Sequence, residues 1–438
     1  MQAGFAAARV TPPLGMPLEG LGQAEGIVSR HDDLYVRALY LRHGGQEALI
    51  LGADLLFFER REVDRFKGAI GRRLDLAPSQ ILLNTSHTHA GPRVTRWAYG
   101  GAPTAAYLDE LEAGYVSAAT AAAGELRSRG DRAEVSLEAG VCRTDLPLSR
   151  RQVDARGRAQ WAPSRAGVVC NTVPVCLLRA ADGAVLSLLF SVSCHPSMIY
   201  TPDVSADYPG AAMRGLNERF STSGALFLQG CGGDCKPRPI AVGEERWRPG
   251  TWEEMEAAGR EVADGVAGVT AGGLLEVQPE LRAARRHLRF PLDALPGRAD
   301  LERQVHGGQG REARRRWAEE MLTRLNRNGS LPSELEVDLH ALQLGRGLRL
   351  IGVEAEVVGE LGNQILAAYD RGVTFPLGYT DGCRAYLPSS RMIPEGGYEV
   401  ESFWEYHLPA PLAPGTDAVL QAGLEELRDS GEIPNGEC

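Results

Sequence analysis

The amino-acid sequence predicts an α/β fold, with mixed β-sheets flanked by helices and a metal site at the C-terminal ends of strands. Two observations predict the class. Apolar runs of strand length alternate with longer segments of helical periodicity, the pattern of layered sheets and helices. Several of those runs stop at a histidine or a carboxylate, and ligands of open α/β sheets gather at such strand ends. A third observation sets the scale: 43% of the 438 residues are hydrophobic, ample for a large core.

The elements follow in order. Ala48-Leu49-Ile50-Leu51-Gly52-Ala53-Asp54 reads as a strand, and 59–75, rich in Arg and Glu, as a helix. Ile81-Leu82-Leu83 reads as a buried strand running into a polar turn. Residues 105–128 are Ala-rich with Leu108, Leu111, Tyr115 and Val116 on one side, which predicts a longer helix. Strands are expected at 173–178 and 185–192, the second ending at Ser193-Cys194-His195-Pro196. A helix over 207–220 precedes the strand Ala225-Leu226-Phe227-Leu228, which opens into Gln229–Asp234, and 252–270 reads as helix. Residues 299–326 read as an Arg-rich helical insertion whose charge is a solvated face rather than a binding patch. Leu348–Val353 is a strand ending at Glu354-Ala355-Glu356, with a helix after it through Ile365 to Tyr369. The Gly-, Tyr- and Pro-rich stretch 378–407 reads as ordered loop, where function often lies. No internal repeat is present, and 1–438 is read as one catalytic domain.

Bulk properties exclude several classes. A net charge of −10 argues against a nucleic-acid partner, which calls for a basic surface. No stretch approaches the ~18–20 apolar residues of a membrane span. The start, Met1–Arg9, lacks a basic leader and a long apolar core, so a cytoplasmic location is the expectation. The eight cysteines are scattered through a long chain, which fits buried small hydrophobes better than a disulfide framework.

The chemistry concentrates at Asn84-Thr85-Ser86-His87-Thr88-His89-Ala90-Gly91-Pro92. Imidazole is the commonest metal ligand and also titrates near neutral pH, so one histidine can hold a metal while the other moves protons. A lone His-x-His is more often an ordinary satisfied pair. The case rests on matching groups elsewhere, and His195, Asp234 and Glu356 also stand at strand ends.

Taken together, these segments resemble the catalytic domain of the neutral (non-lysosomal) ceramidase family. The residues that carry the resemblance are Ala8-Arg9-Val10-Thr11-Pro12-Pro13-Leu14-Gly15, Ser86–Pro92, Cys194-His195-Pro196-Ser197, Gly233-Asp234-Cys235-Lys236-Pro237, Glu356, Tyr386-Leu387-Pro388 and Gly397-Tyr398-Glu399. The resemblance implies one zinc ion per chain, held by His87, His195, Glu356 and Tyr386. It implies His89 as general base and acid, with Tyr398 and Arg150 binding the substrate or its oxyanion. For Tyr386 the alternative is a tyrosine hydrogen-bonded at the rim of the site; Arg150 is one of two neighbours with Arg151, and either is otherwise an ordinary solvated arginine.

Two departures from the family pattern bear on substrate. Lys236 stands where ceramide hydrolases of the family carry serine, and lysine cannot replace a hydroxyl in the same role. Pointing inward, Lys236 favours an anionic substrate group; pointing outward, it is a surface residue. Cys235 is the neighbouring nucleophile, one residue off the family frame. The chain is also short, ending soon after the tyrosine motifs rather than continuing into the family's C-terminal sandwich domain. The resulting expectation is a zinc-dependent hydrolase of a soluble, polar or anionic N-acyl amide rather than of ceramide. A zinc esterase, lactonase or acyltransferase on the same site is the first rival, and a non-catalytic zinc protein the second.

Overall fold

The computed structural model describes residues 1–20, 26–96, 102–306 and 312–437. The larger sheets are three. A four-stranded sheet has the order Gln2–Arg9, Tyr35–His43, Gln46–Ala53, Ile81–Thr85. A five-stranded sheet runs Ala225–Gln229, Val185–Val192, Thr172–Ala180, Val135–Arg143, Leu275–Val277. A second four-stranded sheet runs Pro279–Pro291, Glu334–Gly345, Leu348–Val353, Val373–Leu377.

Each of these sheets is mixed, with one parallel pair: Gln46–Ala53 with Ile81–Thr85, Val185–Val192 with Ala225–Gln229, and Leu348–Val353 with Val373–Leu377. Parallel neighbours need a crossover, and a helix supplies each: Arg60–Leu74, Asp207–Phe220 and Gly359–Ala368. The first presents Val63, Phe66 and Ile70 inward at helical spacing and closes on Asp75 in the left-handed conformation. The helix Trp252–Ala271 starts on a capping box, with Thr251 accepting from the Glu254 N–H.

One core cluster draws on all three sheets, joining Leu39, Ile50, Leu82, Leu178, Leu189, Leu226, Leu342, Leu350 and Phe375. The helices cover the outer faces, in separate clusters for each sheet. Buried Asn84 ties the sheets at one point. Its Oδ1 accepts from the Gln229 N–H (2.7 Å), and its Nδ2 donates to the Gly378 carbonyl (2.8 Å). Three strand ends are thereby brought together, where the sequence places its histidines and glutamate.

The Arg-rich segment forms two helices, Arg298–His306 and Glu312–Asn328, and the residues between them lie outside the described ones. Its charge is largely self-paired, as in Arg324 with Glu320. Its apolar side is not free: Leu301, Trp317 and Met321 pack with Trp404, and Trp317 Nε1 donates to the Leu408 carbonyl (2.8 Å). The segment therefore buttresses the tyrosine-rich loop. Among the described residues, no helix is long and apolar enough to cross a membrane.

Candidate metal centre and its cavity

His87 follows the strand Ile81–Thr85, His195 follows Val185–Val192, and Glu356 follows Leu348–Val353. The local backbone is arranged to let them meet. His87 has φ 64, a left-handed conformation uncommon for a side chain of its size and held by the surrounding structure. Gly232 and Gly233 let two strand ends touch. A Cβ on Gly232 would stand 2.4 Å from the Ser193 carbonyl carbon, and one on Gly233 2.9 Å from the Glu356 carbonyl oxygen. Glu356 pairs in parallel register with Tyr386, which sets the tyrosine beside it.

The donor atoms converge. His87 Nε2 and His195 Nε2 each lie 3.5 Å from Glu356 Oε2, and His89 Nε2 lies 3.1 Å from His87 Nε2. The ligand atoms of His87, His89 and His195 all lie within 4.8 Å of one another. A tetrahedral zinc with bonds of about 2.0–2.1 Å has donor–donor edges near ~3.3 Å, so this spacing fits an ion at the centre.

The outer shell fits as well. His87 Nδ1 faces the Leu56 carbonyl (3.2 Å) and His195 Nδ1 the Gly232 carbonyl (2.8 Å). Each carbonyl takes the Nδ1–H, fixing the tautomer that turns the Nε2 lone pair inward. Burial pushes His87 down to about 3 and lowers His195, so both imidazoles are neutral. Burial opposes ionisation of Glu356; the adjoining His87 and His195 favour it, and beside neutral imidazoles the hydrogen bond from the Tyr406 hydroxyl keeps the carboxylate charged. Neutral imidazole and ionised carboxylate are the states that bind metal.

Two tyrosines found in the structure were not singled out in the sequence. Tyr406 donates to Glu356 Oε1 (2.5 Å), and Tyr379 donates to Oε2 (3.1 Å) while stacking on His87 at 4.2 Å. Tyr379 is itself left-handed, with φ 48. Neither has a local motif. The sole hint was the tyrosine density of 378–407.

Arg150 and Lys236 arrive on a separate small sheet, in which Pro147–Val153 pairs with Cys235–Pro237. Arg150 is buried, not solvated. Its Nε donates to Glu399 Oε1 (2.7 Å), its Nη2 to the Tyr386 hydroxyl (2.9 Å), and its Nη1 faces His195 Nε2 at 3.3 Å. Glu399 also accepts from Arg151 (2.6 Å), so it holds both arginines. Trp161 stacks over Arg150 at 4.4 Å. Lys236 points inward, with Nζ donating to the Tyr200 hydroxyl (2.7 Å).

These groups line one cavity of about 320 Å³, which takes in His87, His89, His195 and Glu356, with Arg150, Lys236, Tyr386 and Tyr398. Every residue the sequence put forward for the site therefore reaches it, except Asp234 and Cys235. Asp234 Oδ1 accepts instead from the Gly359 N–H (2.8 Å) at the start of a helix. Burial pushes the Cys235 thiol well up, so it stays protonated and unreactive. Tyr398 sits at the cavity with its hydroxyl donating to Glu405 (2.8 Å). His89 has its Nδ1 without a hydrogen-bond partner among the described residues. Gly20 backs that ring: a Cβ there would stand 2.8 Å from His89 Cα and 2.9 Å from its Nδ1. A lone glycine so far from the histidine in sequence gives no signal.

Fold and site together define an α/β protein with a buried histidine cluster able to hold a metal ion at its strand ends. The particular fold is that of neutral ceramidase. A ceramidase structure described as complexed with C2 superimposes with a TM-score of 0.73, covering 99% of this chain and 76% of its own, at 14% identity. Neutral ceramidase from Pseudomonas aeruginosa gives a TM-score of 0.72, covering 99% of this chain and 75% of its own, at 15% identity. No protein-family model and no curated protein matches the sequence.

Proposed function

We propose that the protein is a zinc-dependent hydrolase of the neutral ceramidase kind, acting as one catalytic domain on a C–N amide bond of a small, polar N-acyl substrate. The observation that carries the reading is the convergence of His87 Nε2, His195 Nε2 and Glu356 Oε2 at tetrahedral spacing inside a cavity. His87, His195 and Glu356 would hold the ion, with Tyr386 as the fourth ligand. When bound, zinc supplies Lewis acidity and a water whose pKa falls to about 7.

The chain's own groups do the rest. His89 takes the proton of the attacking water and returns it to the leaving amine. The ring is neutral and free to accept a proton, since burial holds it well below its ordinary value. Arg150 is the preorganised donor to the developing oxyanion, because Glu399 and Trp161 fix its guanidinium beside His195 and Tyr386. Such donors are worth about 3–4 kcal/mol in a transition state. Tyr398 joins it once its hydroxyl turns from Glu405 to the substrate. The same groups serve an ester or lactone equally well, and the leaving group decides between them.

The test is amine release by zinc-loaded protein across N-acyl compounds and matched esters. His87→Ala and His195→Ala lose metal and activity together, whereas His89→Ala keeps metal and loses rate. Metal lost from His89→Ala but kept by His87→Ala would reverse that assignment.

A further inference from the structure

Lys236 is 2% exposed, a buried ammonium with no carboxylate at salt-bridge distance among the described residues. The other cation of the cavity, Arg150, has Glu399 as its counter-ion. Burying an unpaired charge is costly, and such a group either loses its charge or awaits a partner. Burial, with Arg150 beside it, pushes Lys236 down to about 7.

The surroundings fit a partner of particular chemistry. An ammonium carries three N–H donors, and Tyr200 takes one at 2.7 Å. Rings of Tyr200, Trp247 and Trp161 stand 5.2, 5.9 and 6.0 Å from Nζ, which supports a cation, and Trp161 also lines the cavity. Ser197, on the same cavity, has a buried hydroxyl with no hydrogen-bond partner among the described residues. An unpaired ammonium and an idle hydroxyl form a ready set of donors for a carboxylate. At about 320 Å³ the cavity is at the small end of ligand pockets, which run to about 1,000 Å³.

We propose that Lys236, oriented by Tyr200, forms a carboxylate subsite with Ser197, so that the substrate is a short amide bearing a free carboxylate close to the scissile bond. The amide part of this statement rests on the hydrolase reading above; the subsite does not. The carboxylate belongs either to the acyl half, as in a monoamide of a dicarboxylic acid, or to the amine half, as in an N-acyl amino acid.

Calorimetric titration of the zinc-loaded full chain separates these points. The probes are N-acetylglycine and succinamate, with the neutral N-acetylglycinamide and succinamide as controls. At least one carboxylate binds tenfold or more tightly than its neutral counterpart, and the better of the two identifies the half. Lys236→Gln and Lys236→Ser abolish that preference while retaining zinc, and Lys236→Arg keeps part of it. Folding of each variant is checked by its thermal transition, and Tyr200→Phe supplies an independent case with a several-fold loss. A preference that survives in both Lys236→Gln and Lys236→Ser would mean the carboxylate sits on the metal, and would overturn the subsite. Equal binding of charged and neutral probes by the wild type would overturn it too. Carboxylate preference without amine release from any amide would leave the subsite standing and remove the hydrolase reading instead.

Discussion

Gly20→Ala tests how tightly His89 is held. Gly20 has φ +98, and the three atoms nearest a new Cβ all belong to His89, at 2.8, 2.8 and 2.9 Å. Ordinary contact begins near 3.4 Å, so the ring or the backbone must give by about 0.6 Å. An L side chain at this φ adds strain of about 1–3 kcal/mol, and overpacking costs about 1–3 kcal/mol more. A misplacement of about 1 Å in a catalytic group can cost about a hundredfold in rate, so the expected loss is between about ten- and a hundredfold. The nearest contacts spare His87, His195 and Glu356, so zinc content stays at the wild-type value. The assay pairs amine release, on whichever amide the wild type turns over, with elemental analysis and a thermal transition. Full activity at unchanged stability would refute both the clamping of His89 by Gly20 and the need for His89 in that position.

Three further predictions concern the frame of the site. Tyr406→Phe removes the hydrogen bond to Glu356 Oε1 and lowers zinc affinity about 10–100-fold in chelator competition, the usual cost of an outer-shell partner; unchanged affinity would contradict it. Asn84→Ala strands the Gln229 N–H and the Gly378 carbonyl at the junction of the sheets and costs about 1–3 kcal/mol for each in denaturant unfolding. Glu19 is buried on the Val94 and Thr95 N–H groups, and burial raises it from its ordinary 4.5 to about 7. The folded state therefore binds the extra proton, so stability falls as pH rises from about 4.5 to about 7, by about 3 kcal/mol in all. Glu19→Gln removes that slope and raises stability at neutral pH, and an unchanged pH profile would count against it.

The parts legible in the sequence are those whose signal is local. Val185–Val192 and Leu348–Val353 form the strands expected of them, because an apolar run that stops abruptly at polar residues marks both a strand and its end. His87, His195 and Glu356 stood out for the same reason. The strand Pro279–Pro291 did not, because Arg282, Arg285, Arg286 and Arg289 break its pattern and several of its side chains stay partly exposed. Arg150 was one of two neighbouring candidates in the sequence. In the structure Arg150 lines the cavity, whereas Arg151 lies on Glu395 and Glu399. Asp234 looked like Glu356, a carboxylate after a strand, yet its partner is a helix N–H that sequence spacing does not reveal. Gly20, Tyr379 and Tyr406 act through atoms distant in the chain, which periodicity cannot register.

Metal content and amine release, measured together in one preparation, put the zinc-hydrolase reading to the test. Purified protein is stripped with chelator, reloaded with zinc in steps, and assayed on short carboxylate-bearing amides at each step. Zinc uptake saturates at one ion per chain, with activity rising in proportion and absent from stripped protein. Full amine release without metal, or no stoichiometric zinc binding at His87, His195 and Glu356, would contradict it.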